Sequence, residues 1–201
     1  MTPLDHQGIT RAVVEAESAC GVEVVVVGYG SADSYLDIVF RNALVVTLLA
    51  LTVVLVAPVE IDHDLVFPII AVACLAGLLL SRLPMVQRLT SSAGRRGRAI
   101  ENAVSRSFFM RGVTKTRQRV GLLVVWFELE QAVRVVFDIG LEAKIPADIR
   151  AKVSASLQAA MLDGQQRAAA IAAIGPAFAP FLPRDIDDVN ELDDAQTTGA
   201  A

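Results

Sequence analysis

The chain is short of the residues that build chemistry: 201 residues hold two cysteines, two histidines and one tryptophan. Cys20 and Cys74 lie far apart, which excludes a cysteine-built zinc site and a disulfide framework. Two histidines argue against His-based metal or triad chemistry, and the sequence has no Walker motif, Ser-His-Asp set or CxxC. Aromatic residues make up 5%. Met1 to Ala16 lacks a basic segment followed by an apolar one, so it reads as part of a folded domain and not as a signal peptide. There is no internal repeat and no low-complexity linker; Ser91-Ser92-Ala93-Gly94 comes nearest.

Apolar residues and segregated charge are plentiful. Hydrophobic residues account for 54% and mean hydropathy is +0.51, which excludes a disordered chain. The net charge of −4 and pI near 5.2 conceal two opposite blocks. Ten basic residues and one acid, Glu101, lie between Arg82 and Arg119. After Arg184 come six acids (Asp185, Asp187, Asp188, Glu191, Asp193, Asp194) and no base. Such asymmetry points to a surface partner for the basic block and a solvated, loosely ordered tail over 185–201.

The apolar excess is concentrated in two runs. Ala43 to Val59 is interrupted by Thr47 and Thr52 alone, and Leu65 to Leu80 carries no charge. Each covers about 25 Å at the helical rise, and flanking residues, with Arg41 and Arg82 snorkelling, extend them toward a ~30 Å hydrocarbon core. Neither run has a polar face, unlike a core helix of a soluble protein. The connector Glu60-Ile61-Asp62-His63-Asp64 is short and acidic, so the pair reads as a transmembrane hairpin over 38–84. Basic residues flank its outer ends. The positive-inside rule then gives a multi-pass protein of the cell (inner) membrane, with both termini cytoplasmic and the connector outside.

On either side of the hairpin the pattern is α/β. Thr2 and Pro3 begin a helix that carries Ile9, Val13 and Ala16 at helical spacing and stops at Gly21. Val22 to Val27 is a strand, ended by Gly28 to Asp33. After the hairpin, Arg98 to Arg111 is an amphipathic helix closed by Gly112. Gly121 to Phe127 is a strand apolar on both faces, and Ala132 to Asp138 alternates as a strand with one face less buried. The tight connection at Glu130-Gln131 makes those two antiparallel. Pro146 to Leu162 is a helix closed by Gly164, and a last one from about Gln165 breaks at Gly175-Pro176. The order predicts a small mixed β-sheet flanked by helices, its first parallel crossover interrupted by the hairpin. Segments 1–37 and 85–184 form the domain, 38–84 the hairpin and 185–201 an acidic tail.

The segments outside the hairpin resemble the TPM domain, and look most like a short bacterial branch in which a membrane hairpin follows the first strand. The matching pieces are Ala16-Glu17, Val22 to Val27, Thr116-Arg117 ahead of Gly121 to Val124, and Glu130 ahead of Val133. Asp138-Ile139-Gly140-Leu141, Lys144-Ile145-Pro146, Pro183 and Asp187 to Leu192 follow. The resemblance implies a central sheet flanked by helices. Acid phosphatase activity and divalent-metal binding are attributed to some members, assembly or repair of membrane complexes to others. Where members often carry an acid followed by a base at the turn between the second and third strands, this chain has Glu130-Gln131.

Paired acids are the plausible chemistry. With the first two strands parallel, Asp33 and Glu130 fall beyond their C-termini, where α/β folds place ligands, and Glu128 shares a strand face with Glu130. Three carboxylates there could hold Ca²⁺ or Mg²⁺; the alternative is solvated loop acids. Pairing about Glu130–Val133 puts Asp138 opposite Val125, too far along to join them. Gly28-Tyr29-Gly30 lacks the third glycine and the following helix of a dinucleotide fingerprint. Asp62-His63-Asp64 reads as solvated. Arg82, Arg88, Arg95, Arg96 and Arg98 follow the membrane exit, so anionic headgroups, not nucleic acid, are their expected partner. They would form a basic collar beside the three carboxylates, offsetting their charge and disfavouring a free divalent cation. Two functions remain: a non-catalytic, membrane-anchored interaction domain with a membrane-protein partner, and a metal-assisted phosphatase using Asp33, Glu128 and Glu130. No nucleophile or general acid accompanies the carboxylates, which favours the first.

Overall fold

Two runs of branched apolar residues, Val24 to Val27 and Leu122 to Val125, are buried on both faces, as central strands of a covered sheet must be. A computed structural model describes residues 3–58, 61–116, 118–163, 165–184 and 195–200, with backbone alone for 3–6 and 195–200. The chain divides into two units, Met1–Asp33 with Ala99–Ala201, and Ser34–Arg98.

The first unit is a mixed α/β domain. Helix α1 (Pro3–Ala19) leads into β1 (Glu23–Ser31), which pairs parallel with β2 (Gly121–Phe127); β2 pairs antiparallel with β3 (Ala132–Phe137). This three-stranded sheet gains a fourth strand, β4 (Ala195–Ala200), parallel to β1, so the order is β3-β2-β1-β4. Successive side chains of a strand point to opposite faces. Val24 and Val26 therefore enter a core with Ile9, Val13, Leu157 and Phe178, while Val25, Val27 and Tyr29 enter a second with Ile100 and Val104. The first core is covered by α1, α7 (Ala147–Leu162), α8 (Arg167–Ala172) and α9 (Ile174–Phe178). The second is covered by the part of α5 (Ala93–Met110) that belongs to this unit. Gly175 lets α9 meet α1, for a Cβ there would stand 2.8 Å from the Ala16 carbonyl oxygen.

Several boundaries differ from the sequence reading. β1 runs through Gly28-Tyr29-Gly30 to Ser31, because Gly28 and Tyr29 pair with Trp126 and Phe127. A Cβ at Gly28 would lie 2.2 Å from Cζ2 of Trp126, so this glycine makes room for an indole, not a phosphate. Asp138 stands opposite Gly121, its N–H bonded to the Gly121 carbonyl at 2.9 Å, and not opposite Val125. Residues 128–131 are turn, which moves the register by four. A short helix, α6 (Ile139–Lys144), follows Asp138 at once. The last helical stretch breaks at Ala173, between α8 and α9, ahead of Gly175-Pro176. Residues 195–200 of the tail are a strand, not loose chain. The tail's acids and the matching segment Asp187 to Leu192 lie outside the described residues, as do Thr2, Val59, Glu60, Arg117 and Gly164.

The second unit holds two helices long and apolar enough to cross a membrane, α2 (Leu36–Val56) and α3 (His63–Leu80). Their apolar side chains face outward: 17% and 6% of the respective spans are buried, which distinguishes them from core helices. They meet at small residues, since a Cβ on Gly77 would approach Cα of Ala43 to 2.9 Å. Thr47, Thr52 and Ser81 return their hydroxyls to the carbonyls of Ala43, Leu48 and Gly77, so no hydroxyl is stranded. This unit also takes in α4 (Pro84–Thr90) and the first turn of α5, and so extends beyond 38–84 on both sides.

Candidate functional site

The C-terminal ends of the parallel strands β1 and β2 form the edge where open α/β sheets bind ligands. Backbone pairing continues past both strands: the Glu128 N–H donates to the Tyr29 carbonyl at 3.0 Å and the Leu129 N–H to the Gly30 carbonyl at 2.9 Å. Glu130 then completes the ladder with its side chain, Oε1 accepting the Ala32 N–H at 3.0 Å. Gln131 takes a left-handed φ of 52° to close the turn back into β3. Ser31 donates its hydroxyl to the Asp33 carbonyl at 2.8 Å, tightening the exit from β1.

Asp33, Glu128 and Glu130 thus share an edge, as their places in the chain predicted. Glu128 is exposed, while Asp33 and Glu130 are half-buried. Among the described residues, no group of three or more His, Cys, Asp and Glu side chains is placed to hold a metal ion. What Glu130 does here is backbone work: it satisfies an N–H that neither strand can.

The opposite end of the sheet carries a strong polar cluster. Asp138 is buried, accepts the Ile139 N–H at 2.8 Å and so caps α6. Arg119 grips it twice, Nε to Oδ2 at 2.7 Å and Nη2 to Oδ1 at 2.9 Å. Burial pushes the Asp138 carboxyl upward, but the Arg119 guanidinium, the Ile139 N–H and the nearby positive charge outweigh it and hold the group below its ordinary range. The Arg119 carbonyl accepts the Gly140 N–H at 2.9 Å, and a Cβ on Gly140 would stand 2.2 Å from the Gln118 carbonyl oxygen. Thr116 accepts the Val120 N–H at 3.1 Å. Thr116, Asp138 and Gly140, among the residues that carried the resemblance, act here as framework.

Sequence reasoning missed Trp126. Its indole is buried against Gly28, Arg167 lies 5.1 Å above the ring, and Nε1 has no hydrogen-bond partner among the described residues. Pairing of Gly28 with Trp126 was the signal that could have found it, and it needs the parallel register.

In the second unit, the five arginines divide. Arg95 binds Asp37 through both terminal nitrogens, Nη2 to Oδ1 at 2.7 Å, and its guanidinium lies 5.7 Å over the Tyr35 ring. Arg96 donates to the Arg88 carbonyl at 2.7 Å, the Ser91 carbonyl and the Ser91 hydroxyl at 3.0 Å. Both are committed to the protein. Arg88 is half-buried, while Arg82 and Arg98 are exposed. Arg41 donates to the Thr90 carbonyl at 2.6 Å, beside Asn42, which donates to the Thr90 hydroxyl at 2.9 Å.

No protein-family model matches the chain, and no curated protein matches it. Among solved structures it is similar to the NMR structure of the BA42 protein from the psychrophilic bacteria Bizionia argentinensis sp. nov., with a TM-score of 0.57 and 14% identity, over 98% of this chain and 95% of that one. At that identity the likeness concerns the fold alone.

Proposed function

We propose that this chain is an integral membrane protein whose TPM-like α/β domain is a non-catalytic interaction module, serving the assembly or quality control of a membrane complex. The hairpin α2–α3 spans the cell (inner) membrane, both termini are cytoplasmic, and the partners are the bilayer and another membrane protein. The observation that carries the reading is the outward-facing apolar surface of the hairpin, 17% and 6% buried, which water would not tolerate. The use of Glu130 to hold the Ala32 N–H supports the non-catalytic part.

The test is calorimetry with Ca²⁺ and Mg²⁺, and turnover of a phosphate monoester, on the full chain in detergent. The expected result is weak or no cation binding and no significant phosphatase turnover. A stoichiometric Ca²⁺ site that disappears in Glu130→Gln would overturn the reading in favour of a metal-assisted phosphatase, because glutamine keeps the acceptor for Ala32 and removes the charge.

A further inference from the structure

The short helix α4 carries a surface that its own unit does not use. Leu83, Met85 and Leu89 are 50%, 72% and 75% exposed, and Met85 and Leu89 share a face at i,i+4 spacing. Arg82 precedes the helix by two residues and Arg98 follows in α5; both are exposed. A loose segment would hide such side chains by folding over them. This one is fixed. Arg41 and Asn42 hold Thr90 against α2, and Arg96 holds the Arg88 and Ser91 carbonyls, so both the end of α4 and the start of α5 are tied down.

The anchoring point sets a depth. Arg41 and Asn42 stand immediately before the uncharged run of α2, which ends with the helix at Val56. From Ala43 to Val56 that run spans about 21 Å, shorter than a ~30 Å hydrocarbon core. With α2–α3 across a bilayer, so short a run draws its flanking Arg41 and Asn42, and α4 with them, to the boundary between acyl chains and headgroups. Exposed leucine and methionine beside exposed arginine is the composition that this layer accepts. The apolar surface continues onto Leu36 and Phe40 of α2, 55% and 63% exposed.

We infer that α4 is an interfacial helix lying in the headgroup layer, with Met85 and Leu89 inserted among acyl chains and Arg82 and Arg98 bound to the phosphates of anionic lipids. This rests on the proposal that α2–α3 spans a bilayer. It narrows the headgroup contacts from five arginines to Arg82 and Arg98, which are exposed and for which no partner is found among the described residues, and adds the apolar residues that hold them there.

The experiment places nitroxide labels, one at a time, at Leu48, Val72, Met85, Leu89 and Ser92 in a Cys20→Ala/Cys74→Ala background, reconstituted in phosphatidylcholine vesicles with and without phosphatidylglycerol. Collision with oxygen and with an aqueous nickel chelate reads depth. Labels at Leu48 and Val72 should be deep, those at Met85 and Leu89 shallow but protected from nickel, and that at Ser92 aqueous. Deep labels at Leu48 and Val72 with aqueous labels at Met85 and Leu89 would overturn this inference and leave the hairpin reading intact. Aqueous labels at Leu48 and Val72 would remove both. Labels at Met85 and Leu89 shielded from oxygen and nickel alike would mean that a protein covers the face, which also overturns it. The unlabelled wild-type chain supplies a second measurement with photoreactive phosphatidylglycerol and phosphatidylcholine in matched amounts. Adducts within 82–98 should favour phosphatidylglycerol, and Arg82→Gln with Arg98→Gln should reduce that preference about fivefold per arginine. Equal labelling by the two lipids in the wild type would refute the arginine roles.

Discussion

Asp138 binds Arg119 side-on across 19 residues of chain, and Arg119 keeps a left-handed φ of 56° while it does so. A non-glycine residue in that conformation costs roughly 1–2 kcal/mol, so the ion pair and the strained turn have to be held together. The folded Asp138 carboxyl titrates below its unfolded counterpart, near 3.9 for a free aspartate. The unfolded chain therefore takes up the proton first as pH falls. The stabilisation is fully present above the unfolded value and disappears as pH drops through the lower, folded one. Asp138→Asn should lower the melting temperature in detergent at pH 7, and its deficit relative to the wild type should shrink below about pH 4. Asp138→Ala, which also lacks the cap on α6, should be less stable than Asp138→Asn by about 1 kcal/mol.

Gly28 and Trp126 form a pair of opposite kind, a residue with no side chain beneath the largest one. Gly28→Ala should cost about 1–3 kcal/mol through overpacking, because the added Cβ would stand 2.2 Å from the buried ring. Trp126→Leu in the same chain should recover part of that loss, a non-additivity expected of residues in contact. The chain has one tryptophan, so the emission of Gly28→Ala reports directly on a displaced indole. Unchanged emission together with unchanged melting would show that the two do not press on each other.

Glu130 offers a way to separate hydrogen bonding from charge. Glu130→Gln should melt within a few tenths of a kcal/mol of the wild type, whereas Glu130→Ala should lose about 1–2 kcal/mol by stranding the Ala32 N–H. Hydrogen exchange at the Ala32 amide is the direct readout, slow in the wild type and Glu130→Gln and fast in Glu130→Ala. Equal exchange rates in all three would mean that the bond does not hold the edge.

Two helical glycines should respond in opposite directions. Gly97 in α5 has open space around its Cα, so Gly97→Ala should stabilise the chain by about 0.5–1 kcal/mol through lost unfolded-state freedom. Gly77 sits against Cα of Ala43, so Gly77→Val should push α2 from α3 and lower the melting temperature. Stabilisation by both would mean that the two apolar helices do not pack through their small residues.

Where the sequence pattern was strong, the elements were legible. Gly121 to Phe127 is an apolar run bounded by a glycine and a glutamate, and β2 occupies those residues. The two long apolar helices announced themselves by length and composition. The helices α4 and α6, of seven and six residues, are too short for a period of 3.6 to repeat twice. β4 has a polar, unpatterned sequence and owes its place to backbone pairing with β1, which no side-chain pattern announces. The shared edge of Asp33, Glu128 and Glu130 followed from strand direction. The contact of Glu130 with Ala32 spans 98 residues and depends on a turn over 128–131 that is longer than the connection read at Glu130-Gln131, so the role of that side chain was not legible. The same difficulty applied to the arginines: spacing marks a basic block, but Asp37 and the Ser91 carbonyl decide which members it can offer outward.

Orientation in the membrane can be tested by moving charge. Arg82, Arg88, Arg95, Arg96 and Arg98 all lie within twenty residues of the end of α3, while the described part of the connector contributes Asp62 and Asp64. In the proposed topology the basic side is retained in the cytoplasm and the connector lies outside. Reporter fusions at both termini should read cytoplasmic, and a tag at Asp62 should be reached by an impermeant reagent in intact cells. Acids contribute little to the rule, so Asp62→Asn with Asp64→Asn should leave this orientation unchanged. Asp62→Arg with Asp64→Arg should produce a mixed population, since two positive charges then oppose five. A terminus accessible from outside in the wild type would contradict the proposed topology and, with it, a cytoplasmic site for the α/β domain.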